Sequence, residues 1–164
     1  MTKTITGKSH VYNVDNIDTD RIIPGKYTKT LDTSALASHV LEDLDPAFSK
    51  TVSAGDVLVA GGNFGCGSSR EQAPIALKAA GVSAVVAKSF ARIFFRNAIN
   101  IGLPVVEAPD HQIQNGAEVK IDIENGIITS DGKEYRATKM PDVMLKILNA
   151  GGLVEYLSKE GGYD

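Results

Sequence analysis

Asp56-Val57-Leu58-Val59-Ala60, then Gly61-Gly62-Asn63-Phe64-Gly65-Cys66-Gly67-Ser68-Ser69-Arg70-Glu71, then Gln72-Ala73-Pro74-Ile75-Ala76-Leu77-Lys78-Ala79-Ala80 is the stretch that decides the fold. Val57 to Ala60 is a short apolar run of the kind a buried strand shows, and Gly61, Gly62, Gly65 and Gly67 punctuate the segment after it. Downstream, Ile75, Ala76, Leu77, Ala79 and Ala80 tolerate a helix that Gly81 ends, so the glycine loop feeds a helix. Ser68 with Glu71 three places on matches a capping box, which places Ser68, Ser69, Arg70 and Glu71 around the first helical turn; Pro74 favours a start nearer Arg70.

Strand, glycine loop and helix N-terminus together make an anion site. Glycines let the main chain approach a ligand, free amides point outward, and the macrodipole favours negative charge. Arg70 adds a planar donor fork suited to a carboxylate. A P-loop would need Gly-Lys-Ser/Thr, whereas Gly67 is followed by Ser68. A dinucleotide fingerprint would need glycine where Arg70 stands, and an arginine there obstructs a pyrophosphate. Spacing alone supports a second reading equally well: a tight turn whose serines cap a helix.

Around this centre the chain reads as α/β. Ile5 to Tyr12 is a strand with a weak point at Gly7, and Asp18-Thr19-Asp20 comes next as a polar loop closed by Ile22, Ile23 and Pro24-Gly25. Asp32 or Thr33 caps a short helix through Val40, and Asp45-Pro46 turns the chain. Val82 to Ala87 is a β-branched run parallel to Val57–Ala60, and a right-handed crossover between them sets the Gly65 to Arg70 loop at the carboxyl edge of the sheet. Phe90 to Asn100 is a helix with Phe90, Ile93, Phe94, Ala98 and Ile101 on one apolar stripe and Arg92 and Arg96 on another face. Leu103 to Val106 supplies the next strand. Val119, Ile121 and Ile123 then alternate with polar residues, and the Asn125-Gly126 and Asp131-Gly132 turns make an antiparallel meander. Pro141 opens a helix interrupted at Gly151-Gly152 and resumed to Lys159. No repeats, linkers or low-complexity segments appear.

At 164 residues the chain reads as one domain, 1–164, large enough for a core. A formal charge of -3 and a pI near 5.6 give no reason to expect nucleic acid or an anionic membrane as partner. No signal peptide is read ahead of Ile5 and no run approaches the roughly 20 apolar residues of a membrane span, so a cytoplasmic protein is expected. One cysteine, Cys66, and three histidines, His10, His39 and His111, cannot build an iron-sulfur or structural zinc site alone, so no metal is assigned to this chain. Cys66 reads as a small neutral residue lining the loop, and the histidines as surface residues.

Three blocks carry a resemblance over nearly the whole chain. Asn16-Ile17-Asp18-Thr19-Asp20-Arg21-Ile22-Ile23-Pro24-Gly25-Lys26-Tyr27, then Asn63 through Glu71, then Lys88-Ser89-Phe90-Ala91-Arg92-Ile93-Phe94-Phe95-Arg96-Asn97-Ala98-Ile99-Asn100-Ile101-Gly102-Leu103-Pro104 resemble the small subunit of the isopropylmalate isomerase and homoaconitase group. That subunit matches the mobile C-terminal domain of aconitase. The resemblance implies a three-layer β/β/α swivelling domain, with a mostly parallel central sheet plus the antiparallel meander. It implies a hydro-lyase that dehydrates a hydroxy-dicarboxylic acid and adds the water back on the neighbouring carbon, isopropylmalate first, in leucine biosynthesis. Homoaconitase and 2,3-dimethylmalate dehydratase stay open. It further implies a large subunit carrying the 4Fe-4S cluster that this chain cannot hold, and a homo-oligomer of the isolated small subunit is possible.

By the same resemblance Ser68 is the base, in its alkoxide form, Arg70 clamps a substrate carboxylate, and Ser69 and Gly67 are neighbouring binding positions. Asp20 lies in a loop that faces the substrate in related proteins. Lys29 lies in the segment Tyr27-Thr28-Lys29-Thr30, where they discriminate between apolar and carboxylate-bearing tails; Thr28 departs from the aliphatic residue common there. A helix N-terminus is worth at most about 2 kcal/mol to a nearby anion. With one pKa unit equal to about 1.36 kcal/mol, the dipole moves a serine by about one unit, so an alkoxide also needs Arg70, loop amides and a dry site. A reading of another class is a stand-alone module that binds an organic anion without chemistry.

Overall fold

The computed structural model describes residues 4–30 and 32–159. Residues 1–3, on which much of the reading ahead of Ile5 falls, lie outside the described residues. Seven strands form one mixed sheet in the order β4-β3-β2-β1-β5-β6-β7. Strands β1 (Thr4–Tyr12), β2 (Val57–Ala60), β3 (Ala84–Ala87) and β4 (Val105–Glu107) run parallel, with Val59 beside Val11 and Val86. On the other side of β1 the meander β5 (Glu118–Asp122), β6 (Ile127–Ser130) and β7 (Lys133–Arg136) is antiparallel, as the Asn125-Gly126 and Asp131-Gly132 turns require.

Every residue of β2 and β3 is buried, because both faces of the parallel part are covered. One face, with Leu58, Ala60, Val85, Ala87 and Val105, packs under the helices. The other, with Val57, Val59, Ala84, Val86 and Val106, packs against Val119, Ile121 and Ile128 of the meander. The sheet therefore curls over itself, and the layering expected for the swivelling domain of the aconitase superfamily results from strand periodicity.

Helices α2 (Thr33–His39), capped by the Asp32 side chain, and α3 (Phe48–Thr51) precede β2. Helices α4 (Gln72–Ala79) and α5 (Arg92–Asn100) connect the parallel strands, and α6 (Asp142–Ala150) and α7 (Leu153–Lys159) close the chain. Gly151, at φ 101°, ends α6 in the left-handed region where glycine carries no steric penalty. Among the described residues no helix is long and apolar enough to cross a membrane.

Four expectations change. The polar loop at Asp18-Thr19-Asp20 contains a one-turn helix, α1 (Thr19–Ile22), because the Asp18 carboxylate accepts from the Arg21 N–H at 2.9 Å. Ser68 and Glu71 form no capping box: α4 starts at Gln72, and Glu71 at its N-cap makes no side-chain bond. Pro74 supplies the reason, since a ring without an N–H is harmless in the first turn and breaks a bond deeper in a helix. Ile93 leaves the buried stripe of α5 and is 54% exposed. The histidines are not all superficial: His10 and His111 are buried and His39 is half-buried, stacked on Tyr27 at 3.8 Å.

His111 is 2% exposed, bonded through Nε2 to the Ala60 carbonyl at 2.8 Å. Burial holds its pKa below the ordinary value, opposed by the Ala60 bond and aided by the positive charge of Lys88. The unfolded chain takes up this proton near pH 6.5 and the folded chain resists it. The contribution is thus fully present above about pH 6.5 and is lost as pH falls toward the lower folded value. Denaturation midpoints measured between pH 8 and pH 5 will fall on acidification, and His111→Gln, whose amide can still donate to Ala60, will flatten that fall; equal slopes for both proteins would contradict the assignment.

Candidate active site

Beyond the carboxyl ends of β1, β2 and β3 the chain keeps its parallel order without forming regular strands. Isolated bridges pair Asp18 with Cys66 and Phe64 with Phe90. The Gly65 N–H donates to the Ile17 carbonyl at 2.8 Å, and the Ala91 N–H to the Phe64 carbonyl at 2.9 Å. Three loops are thus laced edge to edge, with the glycine loop in the middle. Its floor is aromatic: Phe64 meets Phe94 edge-on at 5.2 Å and Phe90 at 6.0 Å. A side chain at Gly65, which has φ 84°, would enter the Phe94 ring.

Thr19 fixes the height of the serine segment. Its N–H donates to the Cys66 carbonyl at 2.9 Å, and its hydroxyl donates to the Ser68 carbonyl at 2.8 Å while the residue itself is buried. Gly67, at φ 88°, turns the chain between these two anchors. Ser68 and Ser69 are consequently exposed and Cys66 is half-buried. Ser68 stands four residues before α4, so the dipole of that helix reaches it weakly.

Arg70 lies against Gly25, whose backbone leaves room for the guanidinium: a methyl there would come within 2.6 Å of Nη1. Its Nη2 pairs with Asp20 Oδ1 at 2.8 Å. The Arg70 side chain is 22% exposed against 62% for Asp20, and its buried Nε–H has no hydrogen-bond partner. An unsatisfied charged donor is costly, so the guanidinium retains capacity for an anion.

Gly67, Ser68, Ser69 and Arg70 share a cavity of about 200 Å³ with Arg92, Ile93 and Asn97 of α5. These three were not expected from sequence as site residues. The strand Ala84–Ala87 that precedes them would have pointed to them, since it delivers the start of α5 to the same edge of the sheet as the glycine loop. Ala91 gives α5 no side-chain cap, which leaves its first-turn amides without one beside the serines. Asp20 reaches the site only through Arg70. Lys29 is exposed just past the turn Gly25–Tyr27 and is not among the residues lining this cavity; its neighbour Thr28 is tied to α4 by Gln72 Nε2, which donates to the Thr28 carbonyl at 3.1 Å. Among the described residues no group of three or more His, Cys, Asp or Glu side chains could hold a metal ion.

Residues 44–111 match the family model of the aconitase C-terminal domain. The 3-isopropylmalate dehydratase small subunit of Caldicellulosiruptor bescii is 58% identical over 158 residues, covering 94% of this chain and 95% of its own length. Small subunit 1 of that name from Methanopyrus kandleri is 52% identical, covering 98% and 96%. A crystal structure of 3-isopropylmalate dehydratase from Methanocaldococcus jannaschii superposes with a TM-score of 0.92 at 48% identity, over 97% of this chain and 96% of that one.

Two glycines around the site, Gly65 and Gly25, differ in what they tolerate. Gly65→Ala combines a left-handed φ with a clash against a packed ring and will lower unfolding free energy by roughly 2–4 kcal/mol. Gly25→Ala meets only the end of a flexible side chain and will cost about 1 kcal/mol or less. Urea denaturation of the two variants checks the contrast, which equal losses would remove.

Proposed function

We propose that this chain, which belongs to the family of 3-isopropylmalate dehydratase small subunits, supplies the proton-handling and carboxylate-binding half of that hydro-lyase reaction in leucine biosynthesis. The observation that carries the reading is one cavity holding an exposed serine, Ser68, beside a mostly buried arginine with an unused donor, Arg70. The relatives' names describe a small subunit, hence a heteromeric enzyme with a large one.

Dehydration requires removal of a proton from a carbon next to a carboxylate and loss of hydroxide from the neighbouring carbon. Ser68 takes the proton, and Arg70 holds the carboxylate whose electron withdrawal acidifies that carbon. Ser69, Gly67 and the first turn of α5 supply further hydrogen-bond donors around the anion. Asp20 orients the guanidinium from the other side. Lys29 stands on the segment that faces the substrate tail and is assigned to specificity rather than chemistry.

An iron-sulfur cluster does not fit this chain, whose single cysteine is a half-buried loop residue. We assign the 4Fe-4S cluster to the large subunit, where it would supply the Lewis acid that takes the departing hydroxide. Burying Ser68 under that subunit dries the site, which an alkoxide needs. The exposed Ile93 at the cavity mouth is an apolar contact for such a cover. The whole of 1–164 is taken as one swivelling domain, active in the cytoplasm.

The isolated chain will fold and show no turnover, and mixing with a cluster-loaded large subunit will restore it; appreciable activity of the lone chain refutes the division of labour. In the reconstituted enzyme, Ser68→Ala will lower kcat by about 10²- to 10⁴-fold with subunit association unchanged. Arg70→Lys will raise KM by roughly tenfold or more with a smaller effect on kcat. Steady-state kinetics with 3-isopropylmalate decides both, and near-normal kcat for Ser68→Ala would remove the base assignment.

A further inference from the structure

A second cavity, of about 290 Å³, has Arg92 in common with the cavity of the serine loop. Its floor is the buried edge of the sheet, Val105 and Val106 of β4 with Ile123. Half-buried Phe90, Phe95, Met140 and Met144 form its walls. One end is sealed where the sheet curls back on itself: the Thr138 N–H donates to the Glu107 carbonyl at 2.8 Å, and the Thr138 hydroxyl to Glu107 Oε1 at 2.8 Å. The interior thus offers aliphatic and aromatic carbon and no buried charge.

The rim is of the opposite character. Arg92, Arg96 and Lys139 are exposed around the opening, and among the described residues none of the three is in an ion pair. Glu107 is the one acid of the lining and is occupied by Thr138. Arg92 and Arg96 also stand four apart on one helix, where like charges repel. An apolar chamber of this size with unpaired cations at its mouth has the form of a site for a small amphipathic anion.

We propose that this cavity binds an aliphatic monocarboxylate, with its chain along Val105, Val106 and Met144 and its carboxylate at Arg96 and Arg92. A second carboxylate has no partner inside, which separates the ligand class from the dicarboxylates of the serine loop. Because Arg92 borders both cavities, an occupied second site would hold this cation away from Ser68.

The chain has three methionines, two of which, Met140 and Met144, line the cavity, so methionine labelled with 13C at the methyl reports occupancy in the full chain. Titration with hexanoate, octanoate and decanoate will shift both methyl resonances saturably. Affinity will rise about three- to fourfold per methylene until the chamber is full. Octanol will bind at least tenfold more weakly than octanoate. Arg96→Glu, exchanged because Arg96 does not border the serine cavity, will weaken octanoate by tenfold or more, and Met144→Trp will abolish saturation by filling the space. Equal binding of acid and alcohol, unchanged affinity in Met144→Trp, or methyl shifts that appear only on adding the large subunit would each overturn the proposal.

Discussion

The site depends on Thr19 more than on any residue with chemistry of its own. Its amide and hydroxyl hold Cys66 and Ser68 from one side, which fixes the height of a loop whose strand pairing there is limited to isolated bridges. The neighbouring residues extend the same function. Asp18 caps the single helical turn that presents Thr19, and Asp20 reaches from that turn to Arg70. Three consecutive polar residues thus act as a bracket, and the bracket is rigid because Ile17, Ile22 and Ile23 around it are buried in the main core. Polar groups that would compete with a helix in solution here satisfy backbone groups of another loop.

The same logic explains why the serines lie clear of α4. A helix starting at Ser68 would carry Pro74 in its interior and would consume the backbone that Thr19 holds. Starting at Gln72 places the proline in the first turn and leaves four residues of non-helical chain to carry Ser68, Ser69 and Arg70 across the top of the sheet. Proximity to a second helix, α5, is then set by the parallel bridge between Phe64 and Phe90.

Most of the architecture was legible in the chain itself. Val57–Ala60 and the run ending at Ala87 read as buried parallel strands because they are apolar on both faces, and the meander read from alternation and two Gly turns. The resemblance named Ser68 and Arg70, and both line one cavity. What stayed hidden required the third dimension. Ile93 fits a helical stripe, yet nothing covers that part of α5, so periodicity misplaced it. His10 and His111 look like ordinary polar residues until Asp56 and the Ala60 carbonyl are found at 2.7 and 2.8 Å. Arg92 and Asn97 join the site because the parallel strand Ala84–Ala87 delivers α5 to the same sheet edge, a step from strand order to neighbourhood that the motif reading did not take.

The ion pair between Arg70 and Asp20 has a further consequence. A guanidinium held by an internal carboxylate has already shed part of its water while its Nε–H stays free, so an arriving anion would join the pair without displacing Asp20. Part of the desolvation cost of capture would then be met before the anion arrives, and the standing negative charge of Asp20 would keep the attraction shallow. The reversible reaction proposed for this chain, in which reactant and product must leave with comparable ease, would be served by a docking point of that kind.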